Sequence, residues 1–205
     1  MPFRVVCVSR AIGAGGEEVG RLVSERLGFR YLNEEIVGAA AAKSGLDSEA
    51  VADAERRQSF IRRFLEGTSS GGSVETYAYG GFVAATGSED LRGVIRATIE
   101  EAAAQGDVVI VAHAASFALA GRPDVLRVLV TAPVPARADR LAQAEGLEGK
   151  EAARAIRDSD KARADYLRRF YEIDDELPTH YDLVVSTEVL SVEQAADVVA
   201  HAARS

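Results

Sequence analysis

The sequence predicts an α/β fold in which a parallel sheet lies between two layers of helices, and two observations lead to this prediction. Short runs of nearly continuous apolar residues, typical of strands buried on both faces, recur along the chain. Segments with helical spacing of apolar residues separate these runs. Strands that alternate with helices form parallel sheets, which bind ligands at the carboxyl ends of their strands.

The strand candidates are four clear apolar runs and a weaker fifth. The clear runs cover residues 3–8, 108–112, 125–131 and 183–186. The weaker run covers residues 29–32. Because the clear runs are continuous instead of alternating, we expect their strands to be covered by helices on both faces.

Three helices are predicted from apolar spacing. The first carries one apolar face and ends at Gly28 as a C-cap; the face consists of Val19, Leu22, Val23 and Leu27. The second has an apolar face of Leu91, Val94, Ile95, Ile99 and Ala102. The last begins with a capping-box signature, Ser191 followed by Gln194.

Composition limits the function classes. A chain of 205 residues with 47% hydrophobic residues is long enough for one well-buried core, which favours a single domain. The net charge of -8 argues against a general affinity for nucleic-acid backbones, although a basic cleft can still bind a small anion. We therefore expect no nucleic-acid partner.

Cysteine content and hydropathy predict a cytoplasmic protein. Cys7 is the only cysteine and lies in the first apolar run, so we expect a buried, inert thiol and no internal disulfide. No hydrophobic signal segment precedes that run, and no apolar run approaches the roughly 20 residues that span a bilayer. Membrane insertion and secretion are not expected.

A glycine-rich loop follows the first predicted strand and leads into the first predicted helix. Closely spaced glycines let the backbone turn sharply and point N–H groups inward, beside the positive end of the helix dipole. Such a loop suits an anion such as a nucleotide phosphate. The candidate phosphate-binding residues are Ser9, Arg10, Gly13, Ala14, Gly15, Gly16, Glu17 and Glu18.

The loop lacks the lysine of a standard phosphate loop. The standard pattern is Gly-x-x-x-x-Gly-Lys-Ser/Thr, and aligning the glycines puts Gly16 at the lysine and Arg10 at the first glycine. A guanidinium at Arg10 can reach the same oxygens, so this residue either replaces the lysine or is a surface arginine at a strand end. The two glutamates at 17 and 18 either bind magnesium or complement the helix dipole and compete with phosphate.

A strongly charged helical segment covers residues 148–176. One interpretation is a solvated helix face stabilised by ion pairs one turn apart. The other is a set of cations that faces an anionic ligand. The two interpretations depend on the surroundings of the segment.

Together, the glycine loop, the glycine-rich stretch at residues 67–87 and the charged segment resemble the cytidylate kinase-like family, a branch of the P-loop nucleoside monophosphate kinases. The resemblance extends over nearly the whole chain. It is carried by residues 8–16, 31–37, 109–113, 131–140, 156–166 and 181–187.

The resemblance implies a three-layer P-loop NTPase-like fold with a parallel five-stranded sheet. It implies one kinase-like domain over residues 1–205, with a helical acceptor-binding lobe at about 33–90 and a short lid at about 145–170. The implied cofactors are ATP and Mg²⁺, with no metal ligands assigned. The implied partner is a small-molecule nucleotide: the γ-phosphoryl group passes to a nucleoside monophosphate, and CMP or dCMP is the leading acceptor.

The resemblance also assigns cationic roles. Arg157, Lys161 and Arg163 become catalytic lid cations, which stabilise the negative charge that spreads over a transferring phosphoryl group; Arg10 joins them as a catalytic residue at the loop. Arg137 and Arg140 lie where relatives keep arginines near the nucleotide. The alternative for these two is an exposed helix position paired with Asp139 or Glu145.

The acceptor-binding residues implied by the resemblance are Asn33, Glu34, Glu35 and His113. The first three either meet a ribose or base or cap the next helix. His113 follows a strand where relatives carry a glycine-arginine pair, and a neutral histidine holds phosphate less firmly than arginine. A changed acceptor, a weakened enzyme and a structural histidine all fit this position.

Two other functions remain open. A nucleotide-binding regulator, or pseudokinase, would keep the cleft without turnover, and the missing lysine at position 16 and arginine at 113 favour it. The second open function is that of a P-loop kinase for another small metabolite. The sequence leaves the oligomeric state open, a homo-oligomer included.

Overall fold

The computed structural model describes residues 3–33, 89–112 and 115–205, and its elements are numbered in chain order within these ranges. The strands are β1 Val5–Arg10, β2 Arg30–Asn33, β3 Val108–Val111, β4 Val125–Thr131 and β5 Leu183–Ser186. The helices are α1 Gly16–Leu27, α2 Glu89–Gln105, α3 Ala115–Ala118, α4 Val134–Glu145, α5 Gly149–Tyr171 and α6 Val192–Arg204, with a 3-10 turn at Pro178–His180. Glu34, Glu35, His113, nearly all of the predicted acceptor lobe and the stretch at 67–87 lie outside the described residues.

The sheet is parallel and five-stranded, as predicted, and the structure gives its strand order as β2-β3-β1-β4-β5. β1 lies at its centre, where Cys7 is in register with Ile110 of β3 and Arg127 of β4. The first strand begins two residues later than predicted, because the backbone N–H of Phe3 donates to the carbonyl of Ala203 in α6, 3.0 Å away. It also continues through the polar pair Ser9 and Arg10, which still pair with β4.

Each face of the sheet has its own apolar core. Val6 and Val8 point to the side covered by α1 and α6. Val5 and Cys7 point to the other side, which α2 and α3 cover. Cys7 is fully buried, so the prediction of a buried cysteine is confirmed, and this burial raises the pKa of its thiol to about 12.

The predicted helix ends are confirmed. Gly28 caps α1 in the left-handed conformation at φ 69°, which glycine adopts without steric cost. At the start of α6, Ser191 and Gln194 form the reciprocal capping box, with N–H···O distances of 3.2 and 3.0 Å. None of the helices within the described ranges is long and apolar enough to cross a membrane.

Most of the charged segment, Gly149–Tyr171, forms one continuous helix, α5, which packs antiparallel beside α4 through a small apolar cluster. Leu141 of α4 packs in this cluster with Ala152 and Ile156 of α5 and with Ile12 from the glycine loop. The helix that covers most of the predicted lid therefore rests directly on the loop. Its polar residues divide between the buried face and solvent.

Candidate functional site

The glycine loop, residues 10–16, leaves the carboxyl end of the central strand β1 and enters α1. Gly13 and Gly15 have φ values of 75° and 73°, the left-handed region that glycine tolerates. A Cβ atom at position 13 would lie 2.6 Å from the carbonyl oxygen of Arg137. The loop can therefore approach α4 this closely only with glycine there.

Position 16 has no room for a side chain. Gly16 is the first residue of α1, and a Cβ atom on it would lie 2.4 Å from the Cβ of Arg10. Such a contact is far shorter than van der Waals distance, so a lysine at this position would displace Arg10. The structure thus gives a steric reason for the missing lysine: Arg10 occupies the space beside the loop.

Arg10 is paired with the first turn of α1. Its Nε lies 3.2 Å from Oε2 of Glu17, and the side chains are 13% and 31% exposed. The hydroxyl of Tyr31 donates to the other carboxylate oxygen of Glu17. Burial and the bond to Glu17 raise the pKa of Tyr31, so the hydroxyl stays protonated as a donor. Glu17 is therefore held by two partners, whereas Glu18 is exposed.

Arg137 is a buried brace between the loop and α5. Its Nε donates to the carbonyl of Ala132 at 2.9 Å, and Nη1 donates to the carbonyl of Ile12 at 3.3 Å. Nη1 and Nη2 also donate to the two oxygens of Asp160, at 2.8 and 2.6 Å. The alternative of an exposed residue paired with a neighbour on α4 is wrong for Arg137, because its side chain points into the sheet edge.

Arg140 braces the next part of the loop with Thr187, which follows β5. The Nη1 of Arg140 donates to the Thr187 hydroxyl at 3.0 Å and to the carbonyl of Gly13 at 3.4 Å, and Nη2 donates to the Thr187 carbonyl. The Thr187 hydroxyl in turn donates to the carbonyl of Ala14 at 2.8 Å and is buried. Thr187 was not a sequence candidate, although a polar residue directly after a predicted strand was a usable signal.

Arg163 of α5 is buried and already paired. Its Nε donates to Oε2 of Glu176 at 2.7 Å, and Nη2 donates to Oε1 of Glu176 and to the hydroxyl of Tyr181 at 3.2 Å. Nη1 lies 3.5 Å from the carbonyl oxygen of Arg10. Glu176 was missed as a site residue because its partner lies 13 positions away, beyond any helical spacing.

Arg157 and Lys161 lie on the opposite side of α5. Both are exposed, while Arg163 is 6% exposed. Positions 157 and 161 are one helical turn apart and share a face, and position 163 is rotated away from that face. Of the three predicted lid cations, α5 therefore presents two to solvent and buries one beside the loop.

A cavity of about 260 Å³ opens beside the loop, between β4 and α5. Polar and charged groups converge on it, which is typical of a ligand site. Its lining includes Ala11, Thr131, Arg137, Asp160, Arg163 and Glu176. Two arginines and three acidic residues line this space, Asp174 being the third acid beside Asp160 and Glu176, so carboxylates outnumber guanidinium groups there.

The remaining candidates lie near the same edge of the sheet. Asn33 ends β2 and is half-buried. Ser9 is fully buried, with its Oγ 3.1 Å from the Oγ of Ser116, so it joins β1 to α3. The described ranges contain no cluster of three or more His, Cys, Asp or Glu residues that could hold a metal ion. The binding roles assigned to the site residues stay predictions.

The chain is similar to two proteins named cytidylate kinase. It is 33% identical to the one from Methanopyrus kandleri over 102 residues, which cover 46% of this chain and 53% of the relative. It is 34% identical to the one from Ignicoccus hospitalis over 110 residues, which cover 54% of this chain and 62% of the relative. The chain thus spans somewhat more than half the length of these curated relatives.

Solved structures share the fold. An uncharacterized protein from Eubacterium ventriosum superposes with a TM-score of 0.67 at 17% identity, over 95% of this chain and 94% of that one. A gluconokinase from Sinorhizobium meliloti gives a TM-score of 0.53 at 15% identity, over 98% and 92%. A shikimate kinase from Acinetobacter baumannii gives 0.50 at 16% identity, over 96% and 90%. At these identities the similarity concerns the fold alone.

A family model identifies the chain itself. The model of the cytidylate kinase-like family matches residues 5–189, which extend from the start of β1 to beyond β5. This match includes the glycine loop, both helices of the α4–α5 hairpin and the Thr187 brace. The resemblance found in the sequence is confirmed, and the chain belongs to the cytidylate kinase-like family.

Proposed function

We propose that this protein transfers the γ-phosphoryl group of ATP to a nucleoside monophosphate, with CMP or dCMP as the leading acceptor. The observation that carries the proposal is the glycine loop at the end of β1, whose conformation is held from outside by side chains of α4 and by Thr187. Family membership supports kinase chemistry with ATP as donor. The names of the two relatives support a cytidine nucleotide as acceptor.

In the proposed ATP site, hydrogen bonds to the carbonyl groups of the loop fix the direction of its peptide planes. Three successive carbonyls, those of Ile12, Gly13 and Ala14, accept hydrogen bonds from Arg137, Arg140 and Thr187 respectively. The C=O of one residue and the N–H of the next point in opposite directions across a trans peptide plane. The N–H groups of Gly13 and Gly15 are thereby kept toward the opposite side, where an anion would bind at the start of α1, whereas the N–H of Ala14 donates to the carbonyl of Ala11 at 3.1 Å.

Cations near the loop would stabilise the transferring group. Charge spreads over the equatorial oxygens of a phosphoryl group during transfer, and fixed cations that exclude water lower the energy of that state. Of the three predicted lid cations, Arg163 is the one beside the loop, with its Nη1 3.5 Å from the carbonyl oxygen of Arg10. Arg157 and Lys161 are exposed on α5 and are the cations that can approach from the solvent side when α5 moves.

Magnesium fits this site as the ion that accompanies the phosphates of ATP. Mg²⁺ keeps several of its waters and is usually held by one or two carboxylates together with substrate phosphates. Of the two carboxylates at the start of α1, Glu17 is already bound by Arg10 and Tyr31, so Glu18, which is exposed, is the one that would hold the ion. The ion would supply charge neutralisation at the β- and γ-phosphates.

The decisive experiment is ATP consumption by purified protein with magnesium, across a panel of nucleoside and deoxynucleoside monophosphates, with the diphosphate product detected directly. Formation of CDP or dCDP in preference to other diphosphates is the expected result. Turnover with a different monophosphate would keep the kinase and change its acceptor. The absence of any diphosphate, in protein shown to be folded, would overturn the proposal.

A nucleotide-binding regulator is the second candidate, and one contact favours it. Arg10, the residue nearest to the missing lysine, forms an ion pair with Glu17. A regulator would bind ATP in calorimetry and yield no diphosphate with any acceptor of the panel. An active kinase would bind ATP and also form a diphosphate.

A further inference from the structure

Glu17 lies between Arg10 and Tyr31, next to the glycine loop. One of its carboxylate oxygens is 3.2 Å from the Nε of Arg10, and the other accepts the hydroxyl of Tyr31. We propose that Glu17 is an internal competitor of phosphate: its carboxylate, held in place by Tyr31, occupies the Arg10 guanidinium and weakens nucleotide binding at the loop. This inference rests on the proposed function only in assigning Arg10 to the donor phosphates.

The position of Glu17 is set by three elements that meet at one edge of the sheet. Arg10 ends β1, Glu17 lies in the first turn of α1, and Tyr31 belongs to β2. The ring of Tyr31 packs against the apolar core under α1, so its hydroxyl has a fixed place. A donor that is already held by packing loses little conformational entropy when it binds the carboxylate.

The charges explain why this contact affects an anion. The Glu17 carboxylate lies against the Nε of Arg10, so a phosphate that binds this edge of the guanidinium must displace the carboxylate, and the two negative charges repel each other. Arg10 is 13% exposed and Glu17 31%, and solvent screens their attraction less than it screens a surface pair. The positive end of α1 also favours the Glu17 carboxylate where it lies.

Phosphate can still displace this competitor. A nucleotide triphosphate carries more negative charge than one carboxylate, and it also binds the N–H groups of the loop. The cost of breaking the Arg10–Glu17 pair therefore lowers the affinity without abolishing it. If the Glu17 charge is removed, this pair no longer has to be broken, and the nucleotide should bind more tightly.

The test compares two variants that remove the same charge from the same helix. Glu17→Gln keeps the shape of the side chain and removes its charge at Arg10. The matched control is Glu25→Gln, because Glu25 is exposed on α1 and pairs with Arg21 instead. Isothermal titration measures the Kd of ATP and of inorganic triphosphate for each protein, and a denaturation midpoint shows that each is folded.

We expect Glu17→Gln to bind both anions about tenfold more tightly than the wild type, the scale of one charge-assisted contact. Glu25→Gln should change the Kd little. Tyr31→Phe should give a smaller gain in the same direction, because the carboxylate keeps its charge and loses its support. In an Arg10→Ala background, Glu17→Gln should no longer tighten binding.

Three results would overturn the inference: no gain for Glu17→Gln, an equal gain for Glu25→Gln, or a gain that persists without Arg10. If one of these occurs while the wild type still forms a diphosphate from a monophosphate, the proposed function stands and only the competitor role fails. If neither the wild type nor Glu17→Gln binds ATP or triphosphate, both fail.

Discussion

Arg137 and Asp160 form a doubly hydrogen-bonded ion pair, with N···O distances of 2.8 and 2.6 Å, between the first turn of α4 and the middle of α5. Because Arg137 also donates to the carbonyl of Ile12, a single buried side chain connects α5 to the glycine loop. A movement of α5 over bound nucleotide must either keep this pair and carry the loop along or break the pair.

Asp160→Asn should destabilise the protein. The change leaves Arg137, which is 5% exposed, with a neutral partner in place of a carboxylate. We expect a loss of roughly 1.5–3 kcal/mol in the free energy of unfolding, the usual worth of hydrogen bonds to a charged group. Asp158→Asn is the control, because Asp158 is exposed and lies 3.6 Å from Arg154. Urea unfolding that gives equal losses for both variants would contradict the bracing role.

Arg157→Ala should reduce turnover while leaving the affinity for ATP nearly unchanged. Arg157 is exposed on α5, and we expect its cation to act in the closed state, so kcat should fall by about 100-fold, the scale of one preorganised donor. Arg154→Ala on the same helix is the matched control. Steady-state kinetics with the best acceptor measures both. A similar kcat for the two variants, or an equal loss of ATP affinity and kcat for Arg157→Ala, would argue against a lid cation.

Gly16→Ala should destabilise the protein, and Gly16→Lys should fail to create a working phosphate loop. A Cβ atom at position 16 would lie 2.4 Å from the Cβ of Arg10, and neither atom is at the flexible end of its side chain. Overpacking of this kind costs about 1–3 kcal/mol. Gly149→Ala is the control, because a Cβ there meets nothing within 4 Å. Thermal unfolding that shows the same melting temperature for Gly16→Ala and the wild type would refute the steric account.

Stability should fall at acid pH in part through Asp182. Hydrogen bonds from the Arg127 side chain, followed by one from its backbone N–H, hold the pKa of this carboxyl below its ordinary value of 3.8. A lowered pKa in the folded state adds stability that is fully present well above pH 3.8 and is lost as the pH falls through the folded value. Asp182→Asn should therefore make the free energy of unfolding fall less steeply below about pH 5. This pH lies about one unit above the ordinary pKa of 3.8, where the carboxyl of the unfolded chain begins to take up protons.

Denaturant unfolding at a series of pH values checks this prediction. Asp124→Asn offers a parallel case, since Arg122 likewise lowers the pKa of Asp124. Each variant should remove its own part of the acid dependence. An acid profile of Asp182→Asn that coincides with that of the wild type would show that the pair contributes nothing to it.

The pattern of apolar residues along the chain was enough to predict the strands of the sheet. The bounds of β4 and β5 match the apolar runs at residues 125–131 and 183–186. The expected burial on both faces is found in β3 but is wrong for β5, which lies at the edge of the sheet and leaves Val184 39% exposed. The boundary of β1 was less predictable. Ser9 and Arg10 end the apolar run but not the strand, since backbone pairing with β4 does not depend on side-chain polarity.

The site was predictable in its residues and unpredictable in their contacts. Arg163 belongs to the predicted set of lid cations, yet it is buried against Glu176 and Tyr181. Position 157 on the same helix is exposed. The sequence gives both residues the same charge, and only the packing of α5 against the loop decides which of them faces solvent.

The sequence by itself determined the alternation of strands and helices, the glycine loop after β1 and membership of the cytidylate kinase-like family, because these depend on residue type and spacing along the chain. The tertiary structure decided the partners of the arginines around the loop. Arg10 meets Glu17 and Arg137 meets Asp160 because separate elements pack side by side. Ion pairs between residues far apart in sequence depend on that packing, which no local pattern contains.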